Sequence, residues 1–412
     1  MRLNSCEVHV KLGSGMSIFQ NRFFGAYGFW HWGEGFQTVL FTWYMSIHLN
    51  LSATEIGFYQ ALVLSPFLVF TVMGGMLTDK VGAQLSYTVS TVIFGAILIS
   101  YGVFDHGFGY LPKLFFLYCV LAGIVSAVSN PAIDTFIPEA TPKGAQENGL
   151  LAASAHNLAK LTGTITGLAL PFLLATGGFI VNGVLMLASV CLLQSFARGK
   201  TRVPSEKAPN IDWHVLRRIV QHYRTCPENL DILLSSVLLG LIIVPAGYIL
   251  LPLVLRERFP EFGDLIALTH ISHWIGAIAV TTVAARLSAK ITKPGRLALC
   301  VWGCYSLSVL LLTQVGSFAV FCALVVGFGT VKLGKALVYG KYLYNAPPED
   351  RGVLIAVDQT AFWGLATLGT FSMGLLVDVI GLNQTICAVS GLVLCGTLGL
   401  AARGHLWKMT PA

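Results

Sequence analysis

Charge is what this sequence lacks most: only 11% of its 412 residues are Asp, Glu, Lys or Arg, where a soluble globular chain has roughly 25%. So few charges exclude a molecule that is clothed in water on all sides. The shortage is organised in blocks. No charged residue occurs in Ile56–Thr78, Val81–Phe104, Leu114–Ile133, Ile232–Leu255, Leu265–Ala285, Gln359–Val377 or Val379–Ala402. Each block covers roughly 30 Å of hydrocarbon as a helix rising about 1.5 Å per residue. Period-two polarity is also missing, which excludes the alternating strands of a membrane β-barrel. The first 20 residues contain no continuous apolar core, so no cleavable signal peptide is expected. Clustered metal ligands are absent too. Cys300 and Cys304 share a helix face without companions, and His270-Ile271-Ser272-His273 stands alone. Neither a metal site nor a cofactor is therefore expected, which argues against a membrane metalloenzyme.

What remains is apolar helix. Two charge-free blocks are about double length, Leu161–Ala197 and Leu297–Val331, broken at Thr176-Gly177-Gly178 and Gln314-Val315-Gly316-Ser317; each reads as a hairpin of two spans. The spans predicted are 22–49, 55–77, 85–104, 114–136, 150–174, 179–196, 230–254, 264–286, 297–315, 317–343, 352–377 and 384–402. With both termini cytoplasmic, 20 of the 26 Lys and Arg fall on the cytoplasmic side and three outside, namely Lys113, Arg256 and Arg258. That asymmetry is the positive-inside pattern. The net charge of +7 then faces anionic membrane lipids, and no nucleic acid need be invoked. The fold class expected is an all-α polytopic membrane protein of twelve transmembrane helices in two six-helix halves.

The one long polar stretch, Arg198–Asn229, holds seven Lys and Arg with Pro204, Pro209 and Pro227. Inside it Ile211–Arg224 is amphipathic: Trp213, Leu216, Ile219, Val220 and Tyr223 gather on one side, opposite His214, Arg217, Arg218, Gln221 and Arg224. Such a helix is expected in the cytoplasmic headgroup layer, a partner-binding helix being the alternative. The chain thus divides into a tail (1–21), a first half (22–197), a linker (198–229), a second half (230–402) and a second tail (403–412). Gly149-Leu150-Leu151-Ala152-Ala153 and Gly352-Val353-Leu354-Ile355-Ala356 open corresponding spans 203 residues apart. Parallel halves of this kind suit alternating access around a central site.

After the second span the chain reads Gly74-Gly75-Met76-Leu77-Thr78-Asp79-Lys80-Val81-Gly82-Ala83-Gln84. This resembles the cytoplasmic signature of the major facilitator superfamily, Gly-x-Leu-Ala-Asp-Arg-x-Gly-Arg-Arg, with Gly75, Leu77, Asp79, Lys80 and Gly82 matching. The resemblance implies a conformational latch. Gly75 would let helices approach, Gly82 would permit a tight turn, and Asp79 would face a helix N-terminus of the other half. A narrower resemblance, to the enterobactin-exporter-like branch, rests on Ser129–Glu139 with its Asn130-Pro131-Ala132, and on Asn157-Leu158-Ala159-Lys160-Leu161-Thr162-Gly163. Thr164 stands there in place of the Pro of the antiporter motif.

The few charges inside apolar blocks carry the candidate chemistry, since each costs roughly 2.5–3.5 kcal/mol at the bilayer centre. Glu34, with His31, Thr38 and Thr42 at helical spacing, reads as a proton-coupling or cation-contact residue, or as a packing carboxyl. Lys332 and Lys335, with Tyr339 on their face, suit an anionic solute or an ion pair with Asp358. Lys160, one turn from His156, has Asp134 as a candidate partner. His270 and His273 read as cavity-lining. The function expected is secondary active transport of a small organic solute by alternating access. Proton-coupled efflux of a siderophore- or drug-like cargo is the first reading, and uptake of an anionic nutrient by symport or facilitation the second. An integral-membrane enzyme or receptor is the third class. A small-molecule substrate and protons are the partners expected of a monomer in a bacterial inner membrane.

Overall fold

The computed structural model describes residues 22–142, 145–197, 213–287, 290–347 and 350–411. These are helical throughout, with no strand among the described residues. The first group of helices is α1 (Arg22–Trp43), α2 (Ala53–Val81), α3 (Ala83–Phe108), α4 (Pro112–Asp134), α5 (Ala145–Thr166) and α6 (Leu170–Ala197). A short helix α7 (Trp213–Thr225) follows, then α8 (Pro227–Leu238), α9 (Val244–Arg258), α10 (Ile266–Arg286) and α11 (Pro294–Leu311). The chain closes with α12 (Phe318–Gly329), α13 (Val331–Asn345), α14 (Arg351–Gln359), α15 (Leu365–Ile380), α16 (Leu382–Arg403) and α17 (His405–Lys408). Nine stretches among the described residues are long and apolar enough to cross a membrane, with mean hydropathies of 1.4 to 2.5. Large apolar side chains such as Phe172 and Val379 stand exposed on the outside of the bundle, where lipid rather than water suits them.

Local signals explain most boundaries. Ser52 and Glu55 form a reciprocal capping box at the start of α2, which satisfies two otherwise orphaned N–H groups. Gly82 separates α2 from α3 with φ of 89°, a conformation that glycine adopts without steric cost. The break in the second long block falls at Gln314–Ser317 as its residues predict, with Ser317 capping α12. The break in the first block differs. The chain bends at Leu174 (φ 58°) rather than at Thr176-Gly177-Gly178. Gly178 is used for contact instead: a Cβ there would strike Leu40 and Leu170.

Between lipid-exposed helices there is little hydrophobic drive to associate, so small residues that let backbones approach decide the packing. A Cβ on Gly35 of α1 would collide with the backbone of Lys160 on α5, and one on Gly163 with the backbones of Trp32 and Phe36. Helix α1 accordingly packs along α5 and α6, α3 against α4 and α6, and α2 against α4. Helices α8 to α17 pack chiefly on one another, α11 against α16 and α10 against α12. The two groups meet along α2–α15 and α5–α10, with smaller contacts of α1 with α9 and α10.

Helix α7 is docked on the second group. Ile219 is buried, Tyr223 shares a hydrogen bond with Tyr342 at 2.7 Å, and Arg218 forms a two-pronged pair with Asp350 at 2.8–3.3 Å. Arg217, Val220 and Arg224 remain exposed. The side chains of Trp213, His214 and Leu216, and residues 211–212, lie outside the described set.

Candidate functional site

The glycine contact between α1 and α5 places Glu34 beside Lys160, because Gly35 seats on the Lys160 backbone itself. The Lys160 ammonium lies 3.3 Å from Glu34 Oε2, and His31 Nδ1 lies 2.7 Å from the same oxygen. The other oxygen, Oε1, accepts a hydrogen bond from Asn130 Nδ2 of α4 at 3.1 Å. Asn130 is oriented in turn by the indole N–H of Trp30, at 2.8 Å. His31 is buried, packed against His156 with ring centres 4.1 Å apart and against Tyr27 at 4.3 Å. Among the described residues its Nε2 has no hydrogen-bond partner. One carboxylate is thus held by an ammonium, an imidazole and an amide from three helices.

Lys160 therefore pairs with Glu34 and not with Asp134, the alternative that its position on α5 had left open. Asp134 is exposed at the end of α4 and within hydrogen-bonding reach of Tyr27. Thr38 and Thr42, the rest of the polar stripe, turn their hydroxyls back to the helix carbonyls of Glu34 and Thr38.

A second cluster is built on α8, α13 and α14. The Lys335 ammonium sits 2.6 and 2.8 Å from the two oxygens of Asp358, which is fully buried, and both touch the Ser236 hydroxyl. Tyr339 lies under the same ammonium, 5.0 Å from the ring centre. Lys332, one turn before Lys335, does not join it. Its ammonium rests 3.6 Å over the Trp274 ring of α10, within electrostatic reach of His273 and of Lys160. His156 also feels Lys332, and Tyr248 of α9 feels Glu34. Glu34, His156, Lys160, His273 and Lys332 thus form one electrostatic neighbourhood that draws on both groups of helices. His270 lies one turn from His273 on α10.

Of the loop motif, Lys80 is exposed and Gly82 makes the turn, while Gly75 and the Asp79 side chain lie outside the described set. Four contributors carry no periodic signal in the sequence: Asn130, Ser236, Tyr248 and Trp274. Asn130 alone had a cue, as a polar residue beside Pro131 in an apolar block. A separate cavity of about 380 Å³ lies away from these charges, lined by residues that include Thr281, Leu333, Lys341 and Thr410.

Comparison with known proteins places this architecture. A staphyloferrin A transporter of Staphylococcus aureus (strain NCTC 8325 / PS 47) is 23% identical over 386 residues, covering 89% of this chain and 93% of its own. A mutant form of the nucleoside transporter NupG shares the fold with a TM-score of 0.77 at 13% identity, over 94% of this chain and 99% of that one. A POT family transporter in complex with a thioalcohol-conjugated peptide does so with a TM-score of 0.72 at 12% identity, over 94% and 96%. The family model described as Major Facilitator Superfamily matches residues 23–370, and the chain belongs to that family of membrane transporters.

Proposed function

We propose that this protein is a proton-coupled secondary transporter of a small organic solute, working by alternating access between two six-helix halves. The halves are 22–197 and 230–402, each of six spans, with both termini cytoplasmic and 198–229 as the linker. Three observations support the division: the two groups of mutually packed helices, their contact along α2–α15 and α5–α10, and the one-sided basic residues. The membrane is a bacterial inner membrane, and the protein acts as a monomer.

The observation that carries the coupling is the ion cluster on Glu34. Its carboxylate is stabilised by Lys160 and His31, so taking up a proton there breaks the pair and frees an ammonium at the meeting of the two halves. Rocking of the halves would then expose Glu34 alternately to either side. Export of the cargo in exchange for protons is the direction proposed. It is supported by the motif resemblance around Asn130 and Lys160, while the relative named a staphyloferrin A transporter supports a siderophore-like cargo. A second reading, uptake of an anionic nutrient together with protons, is favoured by one feature, the Lys332 ammonium, which has no carboxylate in ion-pair distance among the described residues.

The test uses vesicles reconstituted with the full chain under an imposed pH gradient, with staphyloferrin A, citrate and ethidium as cargo probes. The wild type should move at least one probe faster with the gradient than without it. Glu34→Gln should carry that probe at a rate indifferent to the gradient. Gradient-driven flux unchanged in Glu34→Gln would overturn the coupling proposal, and the orientation of the gradient that accelerates flux separates export from uptake.

A further inference from the structure

We propose that Lys332, parked on Trp274, is an anion subsite where α5, α10 and α13 come together, and that the cargo is an organic anion bearing carboxylates. The proposal rests on the transport reading above and adds the chemical class of the cargo. Lys332 and Lys335 lie three residues apart on one helix, yet their surroundings are opposite. Lys335 is neutralised by Asp358 at 2.6 and 2.8 Å. Lys332 has no carboxylate within ion-pair distance among the described residues, and its residue is exposed although it sits within the apolar stretch Phe318–Asn345. The Trp274 face supplies a cation–π contact, which compensates an ammonium only in part.

The charges around Lys332 do not supply the missing negative charge. Within its electrostatic reach are His273 of α10 and Lys160 and His156 of α5. Glu34 already serves Lys160 and His31, and Asp134 lies toward Tyr27, His31 and Glu34 rather than Lys332. Lys332 itself is therefore left without a counter-charge in contact, within an apolar stretch where an unpaired charge is costly. A solvent-reachable ammonium without a counter-charge is the complement of an anionic ligand. The contact with Trp274 holds the ammonium in place while leaving it free of any competing carboxylate. No arginine of the described chain lies in this neighbourhood, and a planar guanidinium fork is the group best matched to phosphate. A lysine point charge with histidine donors suits carboxylates.

The probe is radiolabelled citrate, with inorganic phosphate as competitor, binding to the full chain in lipid nanodiscs at pH 7. Wild type should bind citrate saturably, Lys332→Gln should weaken binding at least about tenfold, and Lys332→Arg should keep most of it. Trp274→Leu should retain binding, because the ammonium survives. Should Lys332→Gln not fold, protection of Lys332 from amine modification by citrate, read by peptide mass spectrometry, decides the same point. Absence of saturable citrate binding, unchanged binding in Lys332→Gln, lack of protection, or phosphate binding as tight as citrate overturns the proposal. If Glu34→Gln loses gradient-driven flux while Lys332→Gln binds normally, the cargo class falls and the coupling stands. If Glu34→Gln keeps gradient-driven flux while Lys332→Gln loses citrate, the coupling falls and the subsite stands.

Discussion

Lys332 and Lys335 show how much a single residue's partner matters inside a membrane protein. Removing one member of a buried ion pair leaves the other charge stranded, at a cost of about 3–5 kcal/mol. Asp358 is fully buried and depends on Lys335, so Lys335→Met should lower the thermal unfolding temperature in detergent sharply. Asp358→Asn in the same background should restore most of the loss. Lys332→Met should shift that temperature little, since it strands nothing and removes only a cation–π contact worth about 0.5–2 kcal/mol. Equal destabilisation by the two methionine variants would contradict the assignment of partners. Helical spacing in the sequence already puts both lysines and Tyr339 on one face. It does not say which lysine meets Asp358, because that depends on where α14 arrives after a turn of chain. The same limit applied to Lys160, for which the sequence offered Asp134; Glu34 reaches it because Gly35 seats on its backbone.

At the scale of the element, a helix pair and a docked helix each carry a prediction. Gly163 lies against the backbones of Trp32 and Phe36, so Gly163→Val should wedge α1 from α5 and separate Glu34 from Lys160. Gradient-driven flux should fall to the level of Glu34→Gln, while a valine at the exposed position Ile165 changes little. The amphipathic pattern of α7 was legible in the sequence; its docking was not, since Asp350 and Tyr342 come from the far end of the chain. Two titrating groups hold that dock. The Arg218 guanidinium hydrogen-bonds Asp350 and holds its carboxyl below the usual range. This contribution is present above the ordinary carboxylate value near 3.9 and is lost as pH falls through the lowered one. It is constant from pH 5 to 8 and small, under about 1 kcal/mol, because the Arg218 side chain is half open to solvent. His222 is different. Burial lowers its imidazole pKa, and it is hydrogen-bonded to Asn229 at 2.9 Å. The undocked helix then binds more protons as pH drops below about 6.5, so docking weakens from pH 7.5 to 5.5. Hydrogen exchange of 217–225, corrected for intrinsic rates, should rise over that interval in wild type and stay flat in His222→Gln.

For the whole molecule, the contacts between the two groups of helices cluster at one end, the one where α1 turns into α2. The Asp378 carboxylate at the end of α15 accepts from the backbone N–H groups of Thr54 at 2.8 Å and Ala53 at 3.3 Å, capping the α2 N-terminus across the divide. Gly57 and Gly374 bring the same helices into backbone contact. Nearby, Arg256 donates to the Leu51 carbonyl at 2.6 Å and the Trp43 indole donates to Asp264 at 3.2 Å. A carboxylate on a helix N-terminus satisfies orphaned donors and opposes the positive end of the helix dipole. Because this cap joins the two groups, it stabilises only the arrangement that is closed at this end, which the proposed orientation makes the outer one. Losing such a cap costs about 0.5–2 kcal/mol, and about 1.4 kcal/mol is a tenfold change in an equilibrium. Asp378→Ala should therefore shift the balance roughly twofold to thirtyfold toward the outward-open arrangement without unfolding either group. Hydrogen exchange should rise in 53–58 and 371–378 together, while the α3–α6 contact on the far side of the first group stays protected. If exchange instead rose at α2 alone, the carboxylate would be a local helix cap, and the alternation would have to be held at this end by the glycine contact and Arg256.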